Sequence, residues 1–352
     1  MNFYGLVRPI LFAVEPETAH RAAILALKAG LLEAFARKDD PILAQRLWHL
    51  DFPNPVGLAA GFDKNAEVPD AILGLGFGFT EIGTVTPKAQ IGNPHPRLFR
   101  LAADRALINR LGFNNEGLEA VAERLSHRFR RGIVGANVGR NKDSADADAD
   151  YAACAARLSP LADYLVVNVS SPNTLGLRAL QGRAPLARLL AAVKEARDKA
   201  VPEGARPPLL VKIAPDLTDD DLQDIAKVAR ALPVDGLIAT NTTITRPSGL
   251  QDSHRDESGG LSGKPLFEPS TRVLGQLYKL TGRALPLVGV GGVASGAAAY
   301  AKIRAGASLV QFYTALVYEG PDLVRAIKRD LADLLRRDGF TSVQAAVGAD
   351  HR

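Results

Sequence analysis

The feature that most limits the fold is a regular alternation of short apolar runs with helical patterns, which begins at residue 54. Parallel strands need a long crossover connection, and a helix between successive strands supplies it. Eight such units predict an α/β fold whose sheet closes into a (β/α)8 TIM barrel, and their number and the chain length favour this over an open, doubly wound sheet. The runs are Val56–Leu58, Phe79–Val85, Ile133–Val138, Tyr164–Val167, Leu209–Ile213, Gly236–Ala239, Leu287–Val290 and Leu309–Phe312.

Helical spacing of apolar residues fills the intervals between these runs. Beyond residue 340 the core pattern stops, so we expect a barrel domain over residues 41–340 and a loose tail over residues 341–352. The predicted helices lie near Asn65–Leu75, Asn115–Arg128, Ala147–Leu158, Ala184–Lys199, Thr218–Ala231, Glu268–Leu280, Ser295–Arg304 and Pro321–Arg336.

Residues 1–40 differ from the repeat and predict an N-terminal extension of two amphipathic helices. Pro16 restarts the chain between them, and Pro41 follows the end of the second. Because the two helices carry more apolar surface than a hairpin can bury in itself, two interpretations stay open: a cap packed on the barrel, or a foot that lies in one membrane leaflet. The apolar positions are Phe3, Leu6, Val7, Ile10, Leu11 and Val14 in the first helix and Ala19, Ala23, Leu27, Leu31 and Phe35 in the second.

Composition disfavours several classes of function. A net charge of +5 over 352 residues, without a run of five like charges, argues against nucleic acid binding. The single cysteine, Cys154, rules out an internal disulfide framework and a cysteine-rich metal site, and we expect no metal. Because it lies in an alanine-rich helical stretch, we expect a buried, inert thiol. No uncharged apolar stretch reaches the ~18 residues that a membrane span needs.

Polar side chains follow the predicted strands at their C-terminal ends, where the active sites of such barrels lie. Five asparagines converge there, namely Asn109, Asn137, Asn168, Asn173 and Asn241. A carboxamide both donates and accepts hydrogen bonds, so a heterocycle with alternating C=O and N–H edges suits this group. The pattern indicates a site for a uracil-like or flavin-like ring.

Glycine-rich stretches lie near the last strand ends. Gly259–Gly263 and Gly291-Gly292 would let backbone N–H groups approach a phosphate, and the alternative is that these glycines only make tight turns. A mononucleotide is favoured over a dinucleotide because no acidic residue follows the second stretch about twenty positions on.

Two lysines lie at strand ends. Lys212 belongs to the apolar run Leu209–Ile213, where a buried charge is costly without an anionic partner. A reduced flavin, which is negative around N1, is one such partner, and a Schiff-base lysine is the rival use. Lys64 follows Asp63 and could form a simple surface ion pair.

The chain resembles the class 2, membrane-associated, quinone-linked dihydroorotate dehydrogenases over almost its whole length. The resemblance implies oxidation of (S)-dihydroorotate to orotate, with FMN as hydride acceptor and a membrane quinone as final electron acceptor, in de novo pyrimidine biosynthesis. The matching pieces are Ala59–Lys64 (AAGFDK), Glu81–Pro87 (EIGTVTP), Pro96–Arg100 (PRLFR), Ile108–Asn115 (INRLGFNN), Asn168–Thr174 (NVSSPNT), Val211–Leu217 (VKIAPDL), Ala239–Thr243 (ATNTT), Gly259–Pro265 (GGLSGKP), Val288–Gly292 (VGVGG) and Gly306–Thr314 (GASLVQFYT).

What the resemblance implies can be placed on individual residues. Ser171 would be the catalytic base that removes the C5 proton while a hydride passes from C6 to flavin N5, and its hydroxyl needs a proton acceptor such as Thr174 or a water chain. FMN would be held by Ala60, Gly61, Phe62, Asp63, Lys64, Thr84, Asn137, Asn168, Lys212, Thr240, Gly263, Gly292, Tyr313 and Thr314. Dihydroorotate would be held by Lys64, Asn109, Arg110, Leu111, Gly112, Phe113, Asn168, Asn173, Asn241 and Thr242.

The resemblance also implies a role for the N-terminal helices. They would form a quinone tunnel with His20, Arg100 and Tyr313 near its inner end. They would also hold the protein to the cytoplasmic side of the cell inner membrane as a peripheral protein, and we expect it to be a monomer. One alternative is a soluble class 1 enzyme that uses NAD or fumarate, against which the hairpin and Ser171 in place of a cysteine argue. The other is a barrel that binds flavin or nucleotide without turnover, which the intact catalytic residues disfavour.

Overall fold

The structure, a computed structural model, describes residues 3–31, 38–232 and 234–352. Its strands are β1 (Gln45–Leu47), β2 (Leu50–Phe52), β3 (Val56–Leu58), β4 (Phe79–Val85), β5 (Leu98–Leu101), β6 (Ala106–Asn109), β7 (Ile133–Val138), β8 (Tyr164–Asn168), β9 (Leu209–Ile213), β10 (Gly236–Ala239), β11 (Gly260–Gly263), β12 (Leu287–Val290) and β13 (Ala307–Phe312). Eight of these described strands pair in parallel, in the order β3, β4, β7, β8, β9, β10, β12 and β13, and close into a barrel. The predicted TIM barrel is confirmed.

Helices cover the outside of the barrel at the places where the sequence predicts them, with bounds that differ by a few residues. The largest change is at α3, which begins at Pro69 instead of Asn65 because the Asp63 carboxylate accepts hydrogen bonds from two backbone N–H groups just before it. The helices are α1 (Phe3–Ala13), α2 (Pro16–Lys28), α3 (Pro69–Gly74), α4 (Leu118–Ser126), α5 (Ala147–Leu158), α6 (Arg183–Ala200), α7 (Asp219–Ala231), α8 (Phe267–Leu280), α9 (Gly296–Arg304), α10 (Thr314–Glu319), α11 (Asp322–Arg337) and α12 (Val343–Ala346).

Side chains of the barrel strands alternate between the interior and the surrounding helices. One apolar cluster, which includes Phe79 and Tyr164, fills the interior, and a larger one lies between the strands and the helices. The β1–β2 hairpin closes the N-terminal end: the ring of Phe52 lies 5.5 Å from that of Phe79, and Trp48 Nε1 donates to the carbonyl of Asp235 at 2.7 Å. Apolar side chains therefore close the interior at this end, and the opposite end is left for a site.

A three-stranded antiparallel sheet, which the sequence did not predict, borders the C-terminal end of the barrel. Residues outside the eight predicted runs form β6 and β11, with Gly260 opposite Asn109. Gly260 and Asn109 lie 151 positions apart, and a local sequence pattern carries no sign of such pairing.

The C-terminal residues differ from the expected loose tail over residues 341–352. Ser342 caps α12, whose Val343 and Ala346 are buried, and the segment packs against α9. A ring nitrogen of His351 lies 3.2 Å from a backbone oxygen just after α9. The prediction was wrong because one helical turn is too short to show a periodic apolar pattern.

The N-terminal extension consists of α1 and α2 in the described residues, and the expected apolar position Phe35 lies outside them. Ion pairs hold α2 to the barrel. Arg97 donates to both carboxylate oxygens of Glu17 at 2.8 and 2.9 Å, and Glu67 pairs with two basic residues of α2 at 2.5 and 2.7 Å. Within the described ranges, no helix is long and apolar enough to cross a bilayer.

Replacement of Gly135 by alanine is expected to destabilise the barrel. A Cβ at this position of β7 would overlap the buried ring of Tyr164, so the interior would have to shift. We expect the free energy of unfolding, measured in urea, to fall by about 1–3 kcal/mol. Gly74→Ala is the matched control, because nothing lies within 4 Å of a Cβ there. An equal loss in both variants would contradict this account of the packing.

Candidate active site

A cavity of about 230 Å³ opens at the C-terminal end of the barrel. It is bounded by strand ends, by β6 and β11, and by α2. Residues predicted for a ring-binding, phosphate-binding and catalytic role meet in its wall. The predicted residues that line it are His20, Ala60, Gly61, Lys64, Thr84, Asn109, Leu111, Gly112, Phe113, Asn168, Ser171, Asn173, Lys212, Thr240, Asn241, Thr242, Gly263, Gly292, Tyr313 and Thr314.

Five predicted residues do not line this cavity. Phe62, Asp63 and Asn137 are buried behind its wall. Arg110 forms an ion pair of 2.6 Å beyond the wall, and Arg100 donates to a backbone carbonyl near the end of α1 at 2.8 Å. These five side chains can act on a ligand of the cavity only through their neighbours or their backbone.

Carboxamides and hydroxyls at the ends of β4, β7 and β8 form one hydrogen-bond network. Asn137 Oδ1 accepts from Thr84 Oγ1 at 2.6 Å and from Asn168 Nδ2 at 3.1 Å. Asn241 Nδ2 lies 3.3 Å from Asn168 Oδ1 and 3.0 Å from Ser170 Oγ. The predicted convergence of asparagines therefore has a physical basis, since each amide orients the next.

Glu81 lies beneath this network and is fully buried inside the barrel. Its carboxylate accepts from Asn137 Nδ2 at 2.7 Å and from Gln311 Nε2 at 2.8 Å, and it lies 3.9 Å from Lys212 Nζ. Sequence reasoning missed Glu81, although a charge within the buried run of β4 is the same kind of signal that singled out Lys212. The Glu81 carboxylate supplies the anionic partner that a buried lysine requires.

The segment after β8 brings Ser171 to the cavity. Ser171 is 6% exposed, and its Oγ accepts a hydrogen bond from the backbone N–H of Asn173 at 3.2 Å. The Asn173 side chain in turn donates to Asn109 Oδ1 at 3.1 Å. Thr174 Oγ1 is buried and has no hydrogen-bond partner among the described residues. Ser171 and two carboxamides, those of Asn109 and Asn173, therefore meet in the wall of the cavity, and Thr174 follows them in the chain.

Lys64 and Asp63 are neighbours in sequence but have separate surroundings. Burial lowers the pKa of Lys64, which lines the cavity, to about 8. Burial also raises the pKa of Asp63, to about 6, and its carboxylate binds the backbone N–H groups of Glu67 and Val68 at 2.8 and 2.9 Å. The two residues form no surface ion pair, so Lys64 has its ammonium available to a ligand, whereas Asp63 shapes the turn.

The glycine turn after β12 offers its backbone to the cavity. Gly292 has a φ of +71°, and a Cβ there would lie 2.5 Å from the side chain of Phe267. Behind the turn, the fully buried Lys302 donates to Ser270 Oγ at 2.6 Å, and Ser270 Oγ lies 3.2 Å from the carbonyl of Gly291. Burial lowers the pKa of Lys302 to about 7. Sequence reasoning missed this lysine because a helical lysine usually faces solvent.

Three aromatic side chains join α2 to the cavity. His20 Nδ1 lies 3.3 Å from the hydroxyl of Tyr313, and the ring of Phe62 lies 5.1 Å from His20 and 5.5 Å from Tyr313. Burial and the charge of Lys64 lower the pKa of His20 to about 3, so the imidazole is neutral at physiological pH. Among the described residues, no three His, Cys, Asp or Glu side chains are grouped to hold a metal.

Comparisons of the sequence and of the structure with known proteins agree on one family. The sequence model of the family described as dihydroorotate dehydrogenase matches residues 42–335. The chain is 60% identical to a dihydroorotate dehydrogenase (quinone) of Rhodospirillum rubrum, over all of this chain and 95% of that protein. It is 53% identical to the mitochondrial dihydroorotate dehydrogenase (quinone) of Mus musculus, over all of this chain and 91% of that one. A crystal structure of DHODH from Eimeria tenella in complex with ferulenol is 43% identical, with a TM-score of 0.94 over 97% of this chain and 99% of that one.

Native Cys154 is expected to resist thiol reagents. The side chain is fully buried in α5, outside the cavity lining, and burial raises its pKa above the usual range. In titrations with a chromogenic disulfide, the native protein should release no thiolate signal and the denatured protein one equivalent. Alkylating conditions should likewise leave the native protein unchanged. A fast reaction of the native protein would contradict the burial of this thiol.

Proposed function

The chain belongs to the dihydroorotate dehydrogenase family, and on this premise we propose that its cavity holds FMN together with dihydroorotate and that its N-terminal helices deliver a membrane quinone. The protein oxidises dihydroorotate to orotate with a quinone as acceptor, in pyrimidine biosynthesis. The observation that carries the proposed assignment of residues is the meeting of Ser171, Lys64 and Lys212 in one cavity lined with carboxamides.

The donor set of the cavity suits FMN. The Gly292 turn, where a side chain has no room, lets backbone N–H groups approach a phosphate. Asn168 and Lys212 are register partners on β8 and β9, so an amide and an ammonium face the same ligand edge. Thr242 Oγ1 is a buried cavity hydroxyl without a hydrogen-bond partner among the described residues, which a polar ligand would satisfy. FMN would supply the hydride acceptor.

Lys212 suits this role better than that of a Schiff-base nucleophile. Its Nζ lies 3.9 Å from the buried Glu81 carboxylate, so the lysine is engaged in an ion pair rather than left as an isolated amine. A cation at this wall favours negative charge on the ligand beside it. The structure of the site therefore supports the flavin interpretation of this lysine.

The remaining residues of the site would bind the substrate and move its proton. The Lys64 ammonium and the amides of Asn109, Asn173 and Asn241 would stabilise the negative charge that develops at the substrate carbonyl when C5 loses its proton. Ser171 would take that proton. Because a serine hydroxyl is a weak base, it must pass the proton on to solvent, and the unpartnered Thr174 hydroxyl, or a water chain, would relay it.

The second half-reaction would use the aromatic group between α2 and the barrel. A neutral His20 beside Tyr313 offers an uncharged, partly apolar approach to the flavin side of the cavity, as a quinone head group requires. Apolar residues of the two helices are exposed, with Leu6 at 70% and Ile10 at 67%. These exposed apolar side chains favour the interpretation of the two helices as a foot in one membrane leaflet over that of a cap packed on the barrel. We further propose a monomer on the cytoplasmic side of the inner membrane.

Replacement of Ser171 by alanine should slow flavin reduction without loss of the cofactor. Removal of a general base costs about 10²–10⁴-fold. The test is anaerobic single-turnover bleaching of the flavin by dihydroorotate, in FMN-loaded wild type and variant. Bound FMN and reoxidation by a quinone should stay unchanged. Reduction of the variant at the wild-type rate would sink the assignment of the base.

Replacement of Leu6 and Ile10 by glutamate should abolish binding to lipid vesicles. The two exposed side chains would then carry charge into the leaflet, whereas neither of them lines the cavity, so the site keeps its contacts. Flavin reduction by dihydroorotate should persist, and reoxidation by a long-tailed quinone in vesicles should fall. Phe129→Glu is the matched control, since Phe129 is 82% exposed and follows α4. Vesicle binding that survives in the double variant would favour the structural cap.

A further inference from the structure

The segment that carries Ser171 continues into a short 3₁₀ turn at Leu177–Gln181. Within that turn, Arg178 has a role that its sequence position does not indicate. Its guanidinium donates to the carbonyl of Ser170 at 3.0 Å, to the carbonyl of Thr242 at 2.9 Å and to the carboxylate of Asp216 at 2.8 Å. One planar group therefore joins the segments that follow β8, β9 and β10.

Two of these contacts act on residues of the cavity wall. The Ser170 carbonyl belongs to the peptide unit that leads into Ser171, and because a peptide is planar, a fixed oxygen also fixes the next Cα. The Thr242 carbonyl belongs to a residue whose side chain lines the cavity. Arg178 thus sets the distance between the predicted base and the wall expected to hold the substrate.

Asp216 gives this arrangement a rigid anchor. Its carboxylate also accepts hydrogen bonds from the Thr243 hydroxyl, from the backbone N–H of Ile244 at 3.1 Å and from the Thr245 hydroxyl at 3.2 Å. The exposed fractions of the Arg178 and Asp216 side chains are 22% and 13%, so the pair is partly shielded from solvent. Asp216 is therefore held to the segment after β10 by hydrogen bonds that do not involve Arg178.

We propose that Arg178 is a positioning residue that holds Ser171 at the correct distance from dihydroorotate bound at the end of β10. This inference rests on the proposed function and adds to it a residue that does not touch the substrate. A lysine cannot replace the guanidinium, because three acceptors in different directions need its rigid fork of donors. A small displacement of a base is costly, since a misplacement of about 1 Å can reduce a rate by about 100-fold.

The test uses full-length, FMN-loaded protein carrying Arg178→Lys. We expect flavin reduction by dihydroorotate to slow by about 10- to 100-fold. Because the variant displaces the base that removes the C5 proton, this step should limit the rate of flavin reduction more strongly. Deuterium at C5 should therefore slow flavin reduction by a larger factor in the variant than in the wild type. Bound FMN, the thermal unfolding midpoint and reoxidation by quinone should not change. The isotope effect separates positioning from a general loss of structure.

Two further variants complete the experiment. Asp216→Asn should give the same pattern more weakly, and its effect should not add fully to that of Arg178→Lys, because both variants alter the shared Arg178–Asp216 ion pair. Arg188→Lys is the matched control, since Arg188 pairs with Asp148 at 2.5 Å but is 67% exposed on the surface. It should behave as the wild type.

Two results would overturn the inference. One is an unchanged reduction rate and isotope effect in Arg178→Lys. The other is a loss of FMN or a lower unfolding midpoint, in both Arg178→Lys and Asp216→Asn, that accounts for the slower reduction, because Arg178 would then serve stability. A wild-type flavin that dihydroorotate does not bleach would instead refute the proposed function, so the two failures are distinct.

Discussion

The interaction on which the site depends is a carboxylate enclosed by the barrel. Glu81 is fully buried, its oxygens accept from Asn137 and Gln311, and Lys212 lies 3.9 Å away. The four residues come from β4, β7, β9 and β13, so one charged group constrains the register of four strands. A buried charge is tolerated only where its pairing is complete. The floor of the cavity is therefore set by the closed barrel itself.

Sequence reasoning predicted the barrel and most of the cavity wall because both follow from local patterns. Apolar runs that alternate with helices are sufficient for the eight-stranded parallel sheet. Ser171, Asn168 and Lys212 could be placed at the cavity because parallel strands bring their C-terminal ends to the same edge. The roles of these side chains came from the family resemblance, and they remain proposals.

The features that were missed depend on contacts between distant parts of the chain. The pairing of β6 with β11 joins residues 151 positions apart, and glycines in β11 resemble a turn when only neighbours are considered. Asp63 lies within a motif expected to bind FMN, yet its carboxylate binds backbone N–H groups before α3. Arg178 is a single arginine in the 3₁₀ turn that follows Ser171, and only the folded chain brings Ser170, Thr242 and Asp216 around it.

The helix α2 faces two environments within a short distance. His20 lies at the cavity, and Leu25, five positions later, is 51% exposed on the outside. Five residues of helix correspond to about 7.5 Å. On the proposed function, a quinone head group can reach the flavin while its tail stays among lipid chains, so the protein encounters quinone as a two-dimensional solute. Turnover then follows the mole fraction of quinone in the bilayer rather than its concentration in the bulk volume, and added empty vesicles slow the reaction by surface dilution.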